Sequence, residues 1–172
     1  MMYMEIANLP KNSLRIKSKL ASLVIDQQDT AEYNASLVLG KSPKELTFQD
    51  ASVVITAPGE YEVGGIKISG SRADAAMIYT MNVDSVEIVI GQMTALSKMQ
   101  NKLTDNNIVI VLCDTADNAS FLTSLVTNVI VLYGEKAEEV SHSFAQEKVK
   151  RMAKYSSTLE KLPTEVETIL LT

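Results

Sequence analysis

Short runs of β-branched and aliphatic residues recur along the first half of the chain. They lie at Leu14 to Lys17, Leu20 to Asp26, Leu37 to Leu39, Ser52 to Thr56, Tyr61 to Ser69, Ala76 to Val83 and Val86 to Ile90. Runs of about four to eight such residues bounded by turn residues are strand signals. The turns between them fall at Asp26-Gln27-Gln28-Asp29, Pro58-Gly59, Gly64-Gly65 and Asn82 to Ser85. Leu14-Arg15-Ile16-Lys17 alternates apolar and polar residues, as an outer or edge strand with one wet face does.

The second half changes rhythm. Thr94 to Leu103 places Ala95, Leu96, Met99 and Leu103 at helical spacings, and Asp117 to Val126 does the same with Phe121, Leu122 and Leu125. A longer helix is predicted from about Glu135 to Lys154, with Ala137, Val140, Phe144, Ala145, Val149 and Met152 inward. Between the helices lie Asn107 to Cys113 and Asn128 to Tyr133, which are apolar at consecutive positions, as strands covered on both faces are. Thr168 to Leu171 is the last strand signal. Antiparallel β first and β-α alternation afterwards predicts an α/β protein of two sheets packed face to face with helices outside. No low-complexity linker divides it, so residues 1–172 are expected to form one domain.

Composition removes several chemistries. The 172 residues include one histidine, His142, and one cysteine, Cys113, so neither a His/Cys zinc site nor an intrachain disulfide can be built. Sixteen Lys and Arg against 21 Asp and Glu give a charge of −5, which repels phosphate backbones. The densest basic run, Lys148, Lys150, Arg151 and Lys154, is flanked by Glu147 and Glu160 and reads as a solvated face. No apolar run approaches the roughly 18 residues that span a bilayer. The start MMYMEIANLPKN lacks a basic stretch followed by an apolar core, so no signal peptide is expected. A lone thiol fits a reducing compartment. The expectation is a cytoplasmic protein with no nucleic-acid or membrane partner.

Specific words in the sequence then point to a family. The segment from Val53 to Gly70, with Pro58-Gly59-Glu60-Tyr61-Glu62 at its centre, resembles the "PGEYE" hairpin of bacterial metallo-β-lactamase-fold hydrolases, in the lactonase-like branch. Ser13 to Lys17 followed by Leu23 to Asp26 resembles that family's opening hairpin, whose second strand ends in Asp. Ala76-Met77-Ile78-Tyr79 resembles its "T-I-Y" strand, and Glu160 to Leu171 its terminal "LP-x-E-T" strand. The resemblance implies a four-layer αββα sandwich, here truncated.

It does not carry the activity over. Family enzymes hold metals with an H-x-H-x-D-H loop, a later His or Asp and a final His. Here the loop is Gly40-Lys41-Ser42-Pro43-Lys44-Glu45-Leu46-Thr47, and the other positions fall near Pro10-Lys11, Ile90-Gly91-Gln92-Met93 and Tyr133-Gly134-Glu135. Each position stands without its family ligand. No metal or other cofactor is therefore expected.

What chemistry remains has simple readings. His142 lies about 200° around the expected helix from Val140, facing solvent. Cys113 ends an apolar strand beside Asp114, where a thiolate gains nothing, so it reads as inert. Asp26, Asp114 and Asp117 sit at strand ends, where capping and turn roles or a weak Mg²⁺ or Ca²⁺ site are the alternatives. Glu60 and Glu62 share a strand face about 7 Å apart, an acid/base spacing within what reads as a structural hairpin. Tyr61 can cover a core edge while its hydroxyl bonds to backbone, and Gly64-Gly65 marks a bulge or close approach.

The reading that follows is a non-catalytic relative serving as a structural, protein-interaction or ligand-binding module. The candidate residues of its vacated site are Asp26, Lys41, Glu60 and Asp114. Self-association or a protein partner is expected, from the Met-rich start (Met1, Met2, Met4) and free strand edges. Two alternatives stand beside it. One is a hydrolase whose metal site is rebuilt from Asp26, Asp114 and Glu60; the other binds an anionic metabolite through Lys11, Lys41 or Lys44.

Overall fold

Strand alternation builds two sheets whose apolar faces meet. The computed structural model describes residues 3–28, 33–41, 44, 46 and 51–172. Met1, Met2, Asp29 and, in the expected vacant loop, Ser42, Pro43, Glu45 and Thr47 lie outside the described residues.

The first sheet contains β1 (Met4–Leu9), β2 (Ser13–Lys17), β3 (Ser22–Ile25), β4 (Tyr33–Leu37), β5 (Ala51–Ile55) and β13 (Lys154–Ser157), in the order β13-β1-β2-β3-β4-β5. The pairs from β13 to β3 are antiparallel, and β3-β4 and β4-β5 are parallel. Met4, Ile6, Leu14, Ile16, Leu23, Ile25, Ala35, Leu37 and Ile55 point between the sheets and are buried there. Its outer face carries the buried Glu5, which accepts a hydrogen bond from Arg15 at 2.6 Å and pairs with Lys154 at 3.5 Å. β2 therefore has the charged face that alternation predicts, but it is an inner strand, not an edge.

The second sheet has eight strands in the order β12-β14-β11-β10-β9-β8-β7-β6. They are β6 (Gly59–Val63), β7 (Ile66–Ala73), β8 (Ala76–Val83), β9 (Val86–Gln92), β10 (Ile108–Leu112), β11 (Val129–Tyr133), β12 (Val149–Met152) and β14 (Glu167–Leu171). β6 to β9 form an antiparallel meander, and from β9 onward all pairs are parallel. Every residue of β10 and β11 is buried, as expected for strands covered on both faces. Ile108, Ile110 and Leu112 face the first sheet, whereas Val109 and Val111 face the helices.

The α-helices are short: α1 (Met93–Ser97), α2 (Gln100–Leu103), α3 (Ser120–Thr123) and α4 (Ala137–Ser141). Met93, Leu96, Leu103, Phe121, Leu122, Ala137 and Val140 bury against the outer face of the second sheet. No α-helix among the described residues lies on the first sheet's outer face. Two stacked sheets with few helices is the mixed α/β architecture that the sequence predicts.

Several segments differ from the sequence expectation. The helix expected over 135–154 ends at Ser141, and its distal half is a turn and β12. Phe144 and Val149 still pack inward, so spacing identified buried residues but not their conformation. Parallel pairing of Val149 to Met152 with Thr168 to Leu171 overrides the helical pattern. The helix expected over 94–103 is two pieces, α1 and α2. The start is a strand: Met4 is buried in the core, so it offers no adhesive surface. Finally, Tyr61 to Ser69 is the hairpin β6-β7 with Gly64 and Gly65 at φ +55° and +85° in its turn, and a side chain at 64 would meet Ala21 Cβ at 2.4 Å.

Candidate functional site

The carboxyl ends of β9, β10 and β11 face the ends of β3 and β4 across the sandwich, where open α/β sheets place their ligands. A hollow of about 140 Å³ lies there, lined by Asn12, Asp26, Gly40, Lys41, Gln92, Leu112, Cys113, Asp114 and Glu135. Strand alternation explains its floor. Leu112 shares a face with Ile108 and Ile110, so the last residue of β10 points between the sheets. Two glycines flank it: a Cβ on Gly40 would stand 2.3 Å from Leu112 Cδ2, and one on Gly134 2.7 Å from Leu112 Cδ1. Leu112 is thus wedged between two backbones that have given up their side chains.

Asp26 follows β3 in the left-handed region at φ +56°, with 1% of its surface exposed. Its carboxylate accepts hydrogen bonds from the backbone N–H of Leu39 and of Gly40, each at 2.8 Å. Burial pushes its pKa up, and the amides of Leu39, Gly40 and Lys41 oppose that rise. Lys11 and Asn12 are also left-handed, at φ +63° and +59°, and Ser13 Oγ donates to the Asp26 carbonyl at 2.5 Å. Strained backbone on both sides of one cleft is characteristic of functional sites.

Asp114 Oδ1 accepts the Met93 N–H at 3.2 Å, so this carboxylate caps the start of α1. Cys113 touches the hollow, yet its side chain belongs to the helix-side cluster, and burial pushes its thiol up to about 12. The inert reading of this cysteine fits those surroundings. Tyr133, at the end of β11, is wholly buried, and its hydroxyl has no hydrogen-bond partner among the described residues. Burial first, then the nearby Asp26 and Cys113, hold its pKa well above the ordinary tyrosine value. Tyr79 contrasts with it: its hydroxyl donates to the Val38 carbonyl at 2.8 Å, fastening the β4 end to the second sheet.

Of the candidate residues, Asp26, Lys41 and Asp114 line one hollow, and Glu60 does not join them. Glu60 accepts a hydrogen bond from Ser69 Oγ at 2.8 Å and borders a broad surface hollow of about 420 Å³ with Lys67, Thr80, Asn82 and Glu87. That hollow is larger than the cleft, but it is the solvated face of the meander and gathers no buried polar group. Tyr61 donates to the Ala57 carbonyl at 2.7 Å, the structural role read for it. Asp117 does not line the cleft, nor do Lys11 and Lys44. His142 follows α4 and is exposed, 3.7 Å from Glu138. Leu112 was missed by sequence reasoning, although counting alternation from Ile108 to the strand's last residue would have found it; Tyr133 was placed, near the family's last ligand position.

A solved structure from Thermotoga maritima, described as a candidate Zn-dependent hydrolase of the metallo-β-lactamase superfamily, matches at TM-score 0.68 over 98% of both chains, with 14% identity. The chain has the metallo-β-lactamase fold. A metallo hydrolase from the hyperthermophilic archaeon Ignicoccus hospitalis matches at TM-score 0.53, with 9% identity over 76% of this chain and 82% of its own. No protein-family model and no curated protein sequence matches.

The metal centre implied by this metallo-β-lactamase fold does not fit the residues present. Among the described residues no three His, Cys, Asp or Glu side chains come together as a ligand set. Each Asp26 oxygen accepts a backbone amide, Asp114 Oδ1 accepts the Met93 N–H, and the hydrocarbon of Leu112 lines the same hollow. Zinc needs three or four converging nitrogen, sulfur or oxygen donors, and here they do not converge.

Proposed function

We propose that this chain is a non-catalytic metallo-β-lactamase-fold protein, a scaffold that works by interaction with other copies or other proteins. One observation carries the reading: Leu112, wedged between Gly40 and Gly134, forms the floor of the cleft from which the fold's reactions would be run. The engagement of both Asp26 oxygens by backbone amides supports it. A site rebuilt from carboxylates loses Glu60, which borders another hollow. Among the described residues that line the cleft, an anionic metabolite meets Asp26, Asp114 and Glu135 against Lys41, a balance that repels it.

The test is metal analysis of untagged protein purified without chelators and dialysed against zinc, manganese and iron. The expected result is well below one metal per chain. A stoichiometric metal that survives dialysis overturns the proposal and revives the carboxylate hydrolase.

A further inference from the structure

Each sheet has two edges, and three of the four carry charge. β6 has Glu60 and Glu62, β12 has Lys150 and Arg151, and β13 has Lys154. Charged edges are the usual device against strand-to-strand association. β5, Ala51-Ser52-Val53-Val54-Ile55, has none. Val53 on its inner face is 37% exposed and Val54 on its outer face 40%, so the apolar layer between the sheets ends at this edge in an exposed valine, with a second on the outer face.

The backbone pattern of β5 defines what could pair with it. Val38 N–H donates to the Ile55 carbonyl at 3.1 Å, so the Ile55 peptide groups face β4. Alternation then directs the N–H and C=O of Val54 and Ser52 away from the sheet. An antiparallel copy of the same strand, centred on Val53, sets Ser52 opposite Val54 in two symmetric hydrogen-bonded pairs. Val53 then faces its own copy in the close, non-hydrogen-bonded pair. Because both strands are neutral, no like charges meet, although each chain carries −5. The pattern is closed under a two-fold rotation, as a homodimer contact must be.

We infer that β5 is a self-association edge, through which two copies of this chain join their six-stranded sheets about a two-fold axis at Val53. This gives a surface to the interaction role proposed above. It is tested by oligomeric state rather than metal content, so the two can fail separately. A single strand pair buries less than the roughly 1,200 Å² of a standard interface, so the dimer is concentration-dependent.

Light scattering over a concentration series of roughly 5–500 μM is expected to move from monomer to dimer mass. Val54→Pro deletes an edge N–H that makes no bond to β4, and is expected to weaken the dimer at least about tenfold. Val54→Lys, a charge on the same edge, does the same and decides the question if the proline variant loses its circular dichroism spectrum. Mild oxidation is expected to cross-link Val53→Cys, whose close pair lies in disulfide range, and not Val54→Cys. The buried Cys113 stays silent in both. A wild type that is monomeric throughout overturns the inference. So does a dimer that the Val54 variants leave intact, or one cross-linked equally by both cysteines.

Discussion

The wedge at Leu112 makes a quantitative prediction through a double-mutant cycle with Gly40. Gly40 lies outside the left-handed region, so alanine there should stabilise by about 0.4–1 kcal/mol through the unfolded chain. The new methyl, however, would stand 2.3 Å from Leu112 Cδ2, and the closeness of Gly134 to the other methyl limits how far Leu112 can move aside. Overpacking of this kind costs about 1–3 kcal/mol, so Gly40→Ala is expected to destabilise by about 1–2 kcal/mol net. Leu112→Ala removes a side chain that is 8% exposed at the edge of an open hollow, placing its loss near the low end of the core range, about 2–3 kcal/mol.

In the double variant the methyl introduced at position 40 enters the space that Leu112 has left. The combined loss should then fall short of the sum by at least about 1 kcal/mol. Urea unfolding of the four proteins followed by circular dichroism, with m-values held to the wild-type slope, measures this. Additivity within about 0.5 kcal/mol would refute the wedge, since residues that do not touch add.

Two further outcomes follow from the polar groups around the cleft. Tyr79→Phe strips the Val38 carbonyl of a donor at 2.8 Å and should cost about 1–2 kcal/mol, whereas Tyr133→Phe removes a buried hydroxyl without a partner and should be neutral or stabilising; equal losses in thermal unfolding would contradict this. Burial raises the pKa of Asp26 in the folded state, so its contribution is greatest below the unfolded carboxyl value and is lost as pH rises through the folded one. Wild-type stability relative to Asp26→Asn should therefore fall from about pH 4 upward, by no more than about 1.4 kcal/mol per pH unit, and a difference that rises with pH would reverse the assignment.

Strands with continuous or strictly alternating apolar residues were legible in the sequence: Ala76 to Val83 and Val129 to Tyr133 match end to end. Legibility failed where a partner far along the chain decides the conformation. Val149 to Met152 keeps helical spacing but pairs with β14, and Met4 to Leu9 becomes a strand between β2 and the distant β13. The cleft was half legible. Asp26 and Asp114 were placed by their strand-end positions, and Lys41, Gln92 and Glu135 by the family pattern. Leu112 was invisible because a leucine ending an apolar strand looks like any other core residue. Only the side-chain-free Gly40 and Gly134 beside it give the wedge away.

The pairing of β1 with β13 also fixes the order in which the molecule can be completed. Met4 to Ala7 bonds along Lys154 to Ser157, and Asn8 N–H donates to the Ala153 carbonyl at 3.0 Å. Every other strand of the first sheet ends by Ile55. On a ribosome, five strands of that sheet would emerge with the flank of β1 bare, and would wait through seven of the second sheet's eight strands, up to β12, for their last member. Contacts so distant in sequence form late and slowly. Until Lys154 to Ser157 are made the exposed flank is that of β1, whose Glu5 awaits Lys154, so this strand waits longest for its second neighbour.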